Sequence, residues 1–211
     1  MSKTVYNLII VDMSGSMYYI RQQAFDGLND TILTIRKMQE ERPDIEQRIS
    51  LITFNSLRKR FVYDNVPAAQ CRRMRHSEYE PDGGTPLYDA IGMGIAKVDG
   101  QRNQGSHVLV TIITDGEENS SSEFTLGMIR ILISRLKEQG WTFTLIGTDN
   151  LDVESMARSF SIDNHLAFCE DAEETRAMFR KDRMARRNYN SCLREGTEPP
   201  KGQYFRQRGR K

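Results

Sequence analysis

The sequence predicts a three-layer α/β/α fold on an open, mostly parallel sheet of about six strands, in the order 3-2-1-4-5-6 with the third strand antiparallel. Three observations predict it. Strand-like and helix-like patterns alternate along the 211 residues, as in sheets covered by helices on both faces. Two segments, 4–12 and 107–115, are apolar through most of their length, as central parallel strands are. Both end in an aspartate that opens a glycine-containing turn. In open α/β sheets, ligands gather outside the carboxyl ends of the strands, where the strand order reverses.

The first strand, TVYNLIIVD (4–12), leads into a helix over about 18–40. There Ile20, Ala24, Leu28, Ile32 and Ile35 recur at steps of three or four and form one buried face. Pro43 marks its stop. RISLITF (48–54) alternates and reads as the second strand, and KRFVYDNV (59–66) as the third. The short link between them favours a hairpin. VPAAQCRRM has room for one short helix. The polar loop HSEYEPDGG leads to a helix opening at Thr85-Pro86 and running to about Val98, with Thr85 as N-cap and Pro86 in the first position. Gly92 and Gly94 inside that helix weaken it and read as points of close approach to its neighbours.

HVLVTIITD (107–115) is the fourth strand. A helix over 125–139 follows, with Gly140 as its left-handed stop. WTFTLIGT (141–148) is the fifth strand. A short helix at 153–160, a short strand at 165–168 and a last helix over 172–193 complete one domain, 1–193. Residues 194–211 contain Gly, Pro and Arg without periodicity and read as a basic tail, disordered or loosely docked.

Composition narrows the function. The 38% hydrophobic and 28% charged residues suit a globular protein. No apolar run reaches the length of a membrane span, and the N-terminus lacks a secretory pattern. Cys71, Cys169 and Cys192 are odd in number and widely spaced, so they read as reduced thiols and point to the cytoplasm. The net charge of +1 conceals an asymmetry: from Arg176 onward there are twelve Lys or Arg against three Asp or Glu, a net of +9, which leaves −8 for the rest. An acidic body with a basic end is a hint about partners, not about fold.

Three short motifs carry the chemistry: DMSGS at 12–16, GGT at 83–85 and TDG at 114–116. Together they offer hydroxyls from Ser14, Ser16 and Thr85 and carboxylates from Asp12 and Asp115. An all-oxygen set of hard ligands selects Mg²⁺, or a similar cation such as Mn²⁺ or Ca²⁺. The predicted strand order sets the first and fourth strands side by side, which would bring the two aspartates together. Mostly neutral hydroxyl ligands would leave the ion much of its positive charge, and so an open position for an outside carboxylate. Gly15, Gly83, Gly84 and Gly116 suit tight turns around such a site.

DMSGS, GGTPLYDAI and ITDGEEN resemble the D-x-S-x-S, T and D elements of the von Willebrand factor A domain family, over about 4–179. The resemblance implies a Rossmann-like fold with a metal-ion-dependent adhesion site, held by Asp12, Ser14, Ser16, Thr85 and Asp115. In the family the hydroxyls usually touch the metal and the aspartates often act through water. A partner's Asp or Glu supplies the remaining ligand. The chain looks most like the compact intracellular bacterial members.

Flanking residues have two readings each. Met13, Met17, Tyr18 and Tyr19 could form an apolar rim or pack the following helix. Glu117 and Glu118 could be further ligands, though surface charge before a helix suits them better. His76, His107 and His165 lie away from the motifs and have no identifiable acid or nucleophile as partner, so they read as structural. The expected function is a non-enzymatic, metal-dependent protein-binding module. One alternative is a Mg²⁺-dependent phosphotransferase or hydrolase. The family of haloacid-dehalogenase-like enzymes places a second aspartate two residues after the first, and here that position is Ser14. Another alternative is RNA binding by the basic end (RKDRMARRN, FRQRGRK).

Overall fold

The computed structural model describes residues 3–148, 151–168, 171–197 and 202–205. The elements follow the predicted alternation: β1 (Lys3–Asp12), α1 (Arg21–Glu41), β2 (Ile45–Phe54), β3 (Lys59–Pro67), α2 (Leu87–Gln101), β4 (His107–Thr114), α3 (Leu126–Glu138), β5 (Thr142–Thr148), α4 (Val153–Ser159), β6 (Asn164–Phe168) and α5 (Ala172–Arg194). The sheet has six strands in the order β3-β2-β1-β4-β5-β6. Only the β2–β3 pair is antiparallel.

The period-two geometry of β1 explains the two cores. Leu8 and Ile10 face α2, α3 and α4, among Ile91, Ile95, Ile129 and Ile133. Ile9 and Val11 face α1 and α5, among Leu28, Ile32, Met178 and Phe179. With both faces covered, β1 has no polar side to show, hence its unbroken apolar run. Below them, Val5, Ile45 and Leu109 meet Ala185, Tyr189 and Leu193 of α5. Among the described residues, no helix is long and apolar enough to cross a membrane.

Some boundaries differ from expectation for local reasons. Helix α1 starts at Arg21 because Gly15–Tyr18 form a 3-10 turn first. The segment after β3 is a 3-10 turn at Ala68–Gln70. Thr85 does not cap α2: no side-chain cap bond is made, and the helix begins at Leu87. The open amides of α2 are taken from outside instead, Tyr88 N by Glu118 Oε2 and Asp89 N by Ser121 Oγ. Gly140 takes φ +89° after α3, and Thr125 caps that helix through Met128 N. A side chain at Gly92 would strike the Phe124 ring at 2.5 Å, so the close approach expected there is present.

The basic C-terminal region is less free than its composition suggests. Arg186 is fully buried against Asp182, while Arg183 and Arg187 reach Asp30 and Glu41 of α1. Within 194–211, the described residues 202–205 are docked: Tyr204 packs into the cluster of Val5, Ile45 and Leu109, with Phe205 against it. An aromatic pair gives this short stretch enough apolar surface to dock.

Candidate metal centre

Parallel pairing sets the site. Asp12 ends β1 opposite Phe54 of β2, and Val11 pairs with Ile113 of β4, so the turns after β1 and β4 leave the sheet side by side. The β1 turn is anchored at both flanks: Met13 N donates to Phe54 O, and Gly15 N donates to Gly83 O. Met13 and Met17 are buried in the α1 core, so of the four candidate rim residues the two methionines pack and the two tyrosines stay outside. The GGT loop is pinned in turn. Gly84 N donates to Ser56 Oγ and Thr85 N to Asn119 Oδ1. Gly83 sits at φ +71°, a conformation that favours glycine.

All five residues singled out by the motifs converge. Ser14 Oγ lies 3.1 Å from Ser16 Oγ, and Ser16 Oγ donates to Asp115 Oδ1 at 2.8 Å. Thr85 Oγ1 and Ser16 Oγ flank Gly116, at 3.3 and 3.6 Å from where a Cβ would stand. Asp12 is fully buried, with Oδ1 accepting from Ser14 N at 2.7 Å and Oδ2 from Thr114 Oγ1 at 2.6 Å. Its backbone oxygen accepts from Tyr79 Oη. Burial pushes the Asp12 carboxyl up to about 6, against the opposing pull of the Thr114 and Ser14 hydrogen bonds. Asp115 is half-buried and also raised by burial, with Ser16 acting the other way. Such a pair is short of positive charge, which a bound cation would supply.

The donor set fits a small hard cation. Adjacent ligands of an octahedral Mg²⁺, each at about 2.1 Å, stand about 3.0 Å apart. The Ser14–Ser16 oxygen separation is close to that edge, and Asp115 accepts from Ser16 beside it. Among the described residues, no three His, Cys, Asp or Glu side chains group as a metal site; a set of two carboxylates and three hydroxyls is of another kind.

Several residues that shape this centre were not among the five singled out from the motifs. Thr114 and Tyr79 hold Asp12, Asn119 holds Thr85, and Ser56 holds the glycine loop. Glu118 is no ligand candidate: its oxygens accept from Tyr88 N, Ser120 N, Ser121 N and Ser121 Oγ, and these bonds hold its pKa down against burial. Of these, Thr114 lies within the TDG motif itself, while Tyr79, Asn119 and Ser56 lie outside all three. His76 stacks on Phe25, in keeping with a structural role.

The profile of the von Willebrand factor type A domain matches residues 8–181. The chain belongs to the von Willebrand factor type A domain family. This VWA domain also shares its fold with solved structures of low identity. The vWF domain of the type V pili tip protein Mfa5 from Porphyromonas gingivalis is 11% identical with a TM-score of 0.66, over 95% of this chain and 98% of that one. The PilB minor pilin from Streptococcus sanguinis is 12% identical with a TM-score of 0.59, over 87% and 61%. The pilus adhesin SpaC from Lactobacillus rhamnosus GG is 14% identical with a TM-score of 0.65, over 86% and 30%. The VWA chain thus spans less than two thirds of PilB and SpaC. No curated protein matches the sequence.

Proposed function

We propose that this VWA domain is a non-enzymatic, metal-ion-dependent protein-binding module. Ser14, Ser16 and Thr85 would hold a Mg²⁺-type ion, and Asp12 and Asp115 would orient them. The observation that carries the reading is the Asp12 carboxylate: both its oxygens are already engaged, by Ser14 N and Thr114 Oγ1. A carboxylate so occupied acts on an ion through its neighbours, in the manner of a supporting ligand shell. When bound, the ion supplies an electrophilic centre for an Asp or Glu of a partner protein.

The surroundings suit a partner. Tyr18 and Tyr19 are 55% and 82% exposed beside Ser16, and Leu57 is 70% exposed next to the Gly83 turn. Exposed tyrosines bordering a polar centre are typical of recognition surfaces. SpaC is a pilus adhesin and Mfa5 a pili tip protein, which is in keeping with a binding role. The cytoplasm remains our proposed location, on the strength of the buried free thiols of Cys71 and Cys192; burial pushes the Cys71 thiol up to about 11, where it is unreactive.

Calorimetric titration with Mg²⁺ tests the metal. Saturable binding is expected in wild type and lost in Asp12→Ala and Thr85→Ala, with folded spectra retained. Identical titrations in all three would reject the site. Capture of a partner from lysate, abolished by chelator and by Asp12→Ala, tests the second half. Release of phosphate from generic phosphoesters, lost in Asp12→Asn, would favour an enzyme instead.

A further inference from the structure

Beside the metal centre, the carboxyl end of the sheet holds a cleft that the five oxygens do not use. It lies between the start of α2, the turn after β4 and α4, and measures about 290 Å³. Glu117, Glu118 and Asp152 stand around it, and Leu87, Met156 and Phe160 are among its walls. Among the described residues, no Lys, Arg or His lines it.

The three carboxylates are held in different ways. Glu118 accepts from the amides of Tyr88, Ser120 and Ser121. Asp152 Oδ1 accepts from Ser155 N at 2.8 Å and caps α4. Glu117 is exposed to solvent. Their charge is felt at Tyr88 in the same cleft: burial raises its hydroxyl pKa, and Glu118 and Glu117 raise it further.

The same chain carries the complementary charge. Residues 206–211, RQRGRK, hold four Lys or Arg and no acid. Long cationic side chains lay their stems on apolar walls and keep their heads among carboxylates, which is the chemistry this cleft offers. The six residues do not reach the cleft of their own domain. Tyr204 and Phe205, just before them, pack with Val5 and Ile45, near the amino ends of β1 and β2. Asp12 stands seven residues beyond Val5 along β1, a height of about 23 Å at 3.3 Å per residue. The cleft is also on the other face of the sheet, since Leu87 and Phe160 belong to the core under α2, α3 and α4, whereas Tyr204 packs against α5. Six extended residues span at most about 22 Å, less than the height alone and well short of a path around the sheet edge.

We propose that residues 206–211 of one copy bind the acidic cleft of a second copy and link the two head to tail. The contact joins unlike surfaces, so each added copy leaves one cleft and one basic segment open, and the assembly grows as a chain. Salt screens attraction between solvent-facing charges, so the link is strongest at low ionic strength. It needs no metal ion and does not rest on the reading of the metal centre.

Sedimentation velocity on the full chain tests it. At low salt the weight-average mass should rise past the monomer as protein concentration rises, and return to the monomer in about 0.5 M salt. Removal of 206–211 should leave a monomer. So should Glu117→Lys combined with Asp152→Asn, which cancels the net charge of the cleft and keeps a capping side chain at 152. These two variants mixed should form a one-to-one complex and nothing larger, because one brings only a cleft and the other only a basic segment. Asp26→Asn combined with Glu40→Lys makes the same change in net charge on exposed positions of α1 and should associate as wild type does. A wild type that stays monomeric at every concentration would overturn the proposal. So would association that survives the truncation, a mixture that forms no complex, or a loss in the α1 variant equal to that in the cleft variant.

Discussion

Thr114 Oγ1 donates a 2.6 Å hydrogen bond to Asp12 Oδ2, joining the ends of β1 and β4 across 102 residues of sequence. The bond explains how a fully buried carboxylate stays oriented between the two turns. It also fixes which oxygen of Asp12 faces the Ser14 amide, because Oδ1 alone is left for it.

Thr114→Val should therefore weaken metal binding without touching any proposed ligand. The variant keeps the shape of the side chain and strips Asp12 Oδ2 of its donor. Losing a hydrogen bond behind a ligand shell lowers metal affinity by about 10–100-fold. Calorimetry with Mg²⁺ reads the change, and thermal melting confirms that the fold persists. An unaltered affinity would mean that Asp12 is held by other means.

The exposed rim should separate metal binding from partner binding. Tyr19→Ala and Leu57→Ala remove apolar surface beside the centre while leaving all five oxygens in place. Mg²⁺ titrations are expected to match wild type, whereas chelator-sensitive capture of a partner should fall about tenfold or more, as for truncated interface anchors. Equal capture would place the partner elsewhere on the domain.

Asp89 gives the domain an acid-sensitive brace. Its carboxylate accepts from Glu123 N and Phe124 N at 2.9 Å, from Ser122 N at 3.1 Å and from Lys59 Nζ at 3.0 Å. Burial raises its pKa, but these donors outweigh it and hold the group at about 2. The folded value lies below the unfolded one near 3.8. The contribution is thus complete above about pH 4 and is lost as pH falls towards 2. The shift corresponds to about 2 kcal/mol. Asp89→Asn should cost about 3 kcal/mol at pH 7, since it leaves Lys59 without its counter-ion, and the gap to wild type should narrow by about 2 kcal/mol at pH 2. Urea unfolding at pH 7, 4 and 2 measures both; a gap that stays constant would exclude the linkage.

What the sequence made legible follows from how local each cause is. The strand order was readable because Asp12 and Asp115 end apolar runs that only a central position in the sheet would bury. The five oxygens were readable because each sits in a short motif tied to a strand end or a helix start. The capping of α2 was not, since Glu118 and Ser121 lie some thirty residues from the amides they accept, and Thr85 had the right chemistry for a cap it does not make. Nor was the burial of Arg186. In a run as basic as RKDRMARRN, nothing local marks the one arginine whose partners, Asn7 and Thr111, come from β1 and β4.

The packing of α5 on α1 makes the last prediction. Gly27 lies in the middle of α1, where glycine costs about 1 kcal/mol relative to alanine. A Cβ there would stand 2.0 Å from Phe179 Cε2 of α5, so the glycine makes room for the ring. Gly27→Ala should destabilise the domain by about 1–2 kcal/mol, because overpacking outweighs the gain in helix propensity. Phe179→Leu alone should also destabilise by loss of apolar contact, yet in the Gly27→Ala background it should recover part of the loss, a coupling that a double-mutant cycle reads directly. Gly100→Ala is the control. It lies on α2 with nothing within 4 Å of an added Cβ, and should stabilise by about 0.5–1 kcal/mol. Additive costs for Gly27 and Phe179 would show that the two residues do not share the space between α1 and α5.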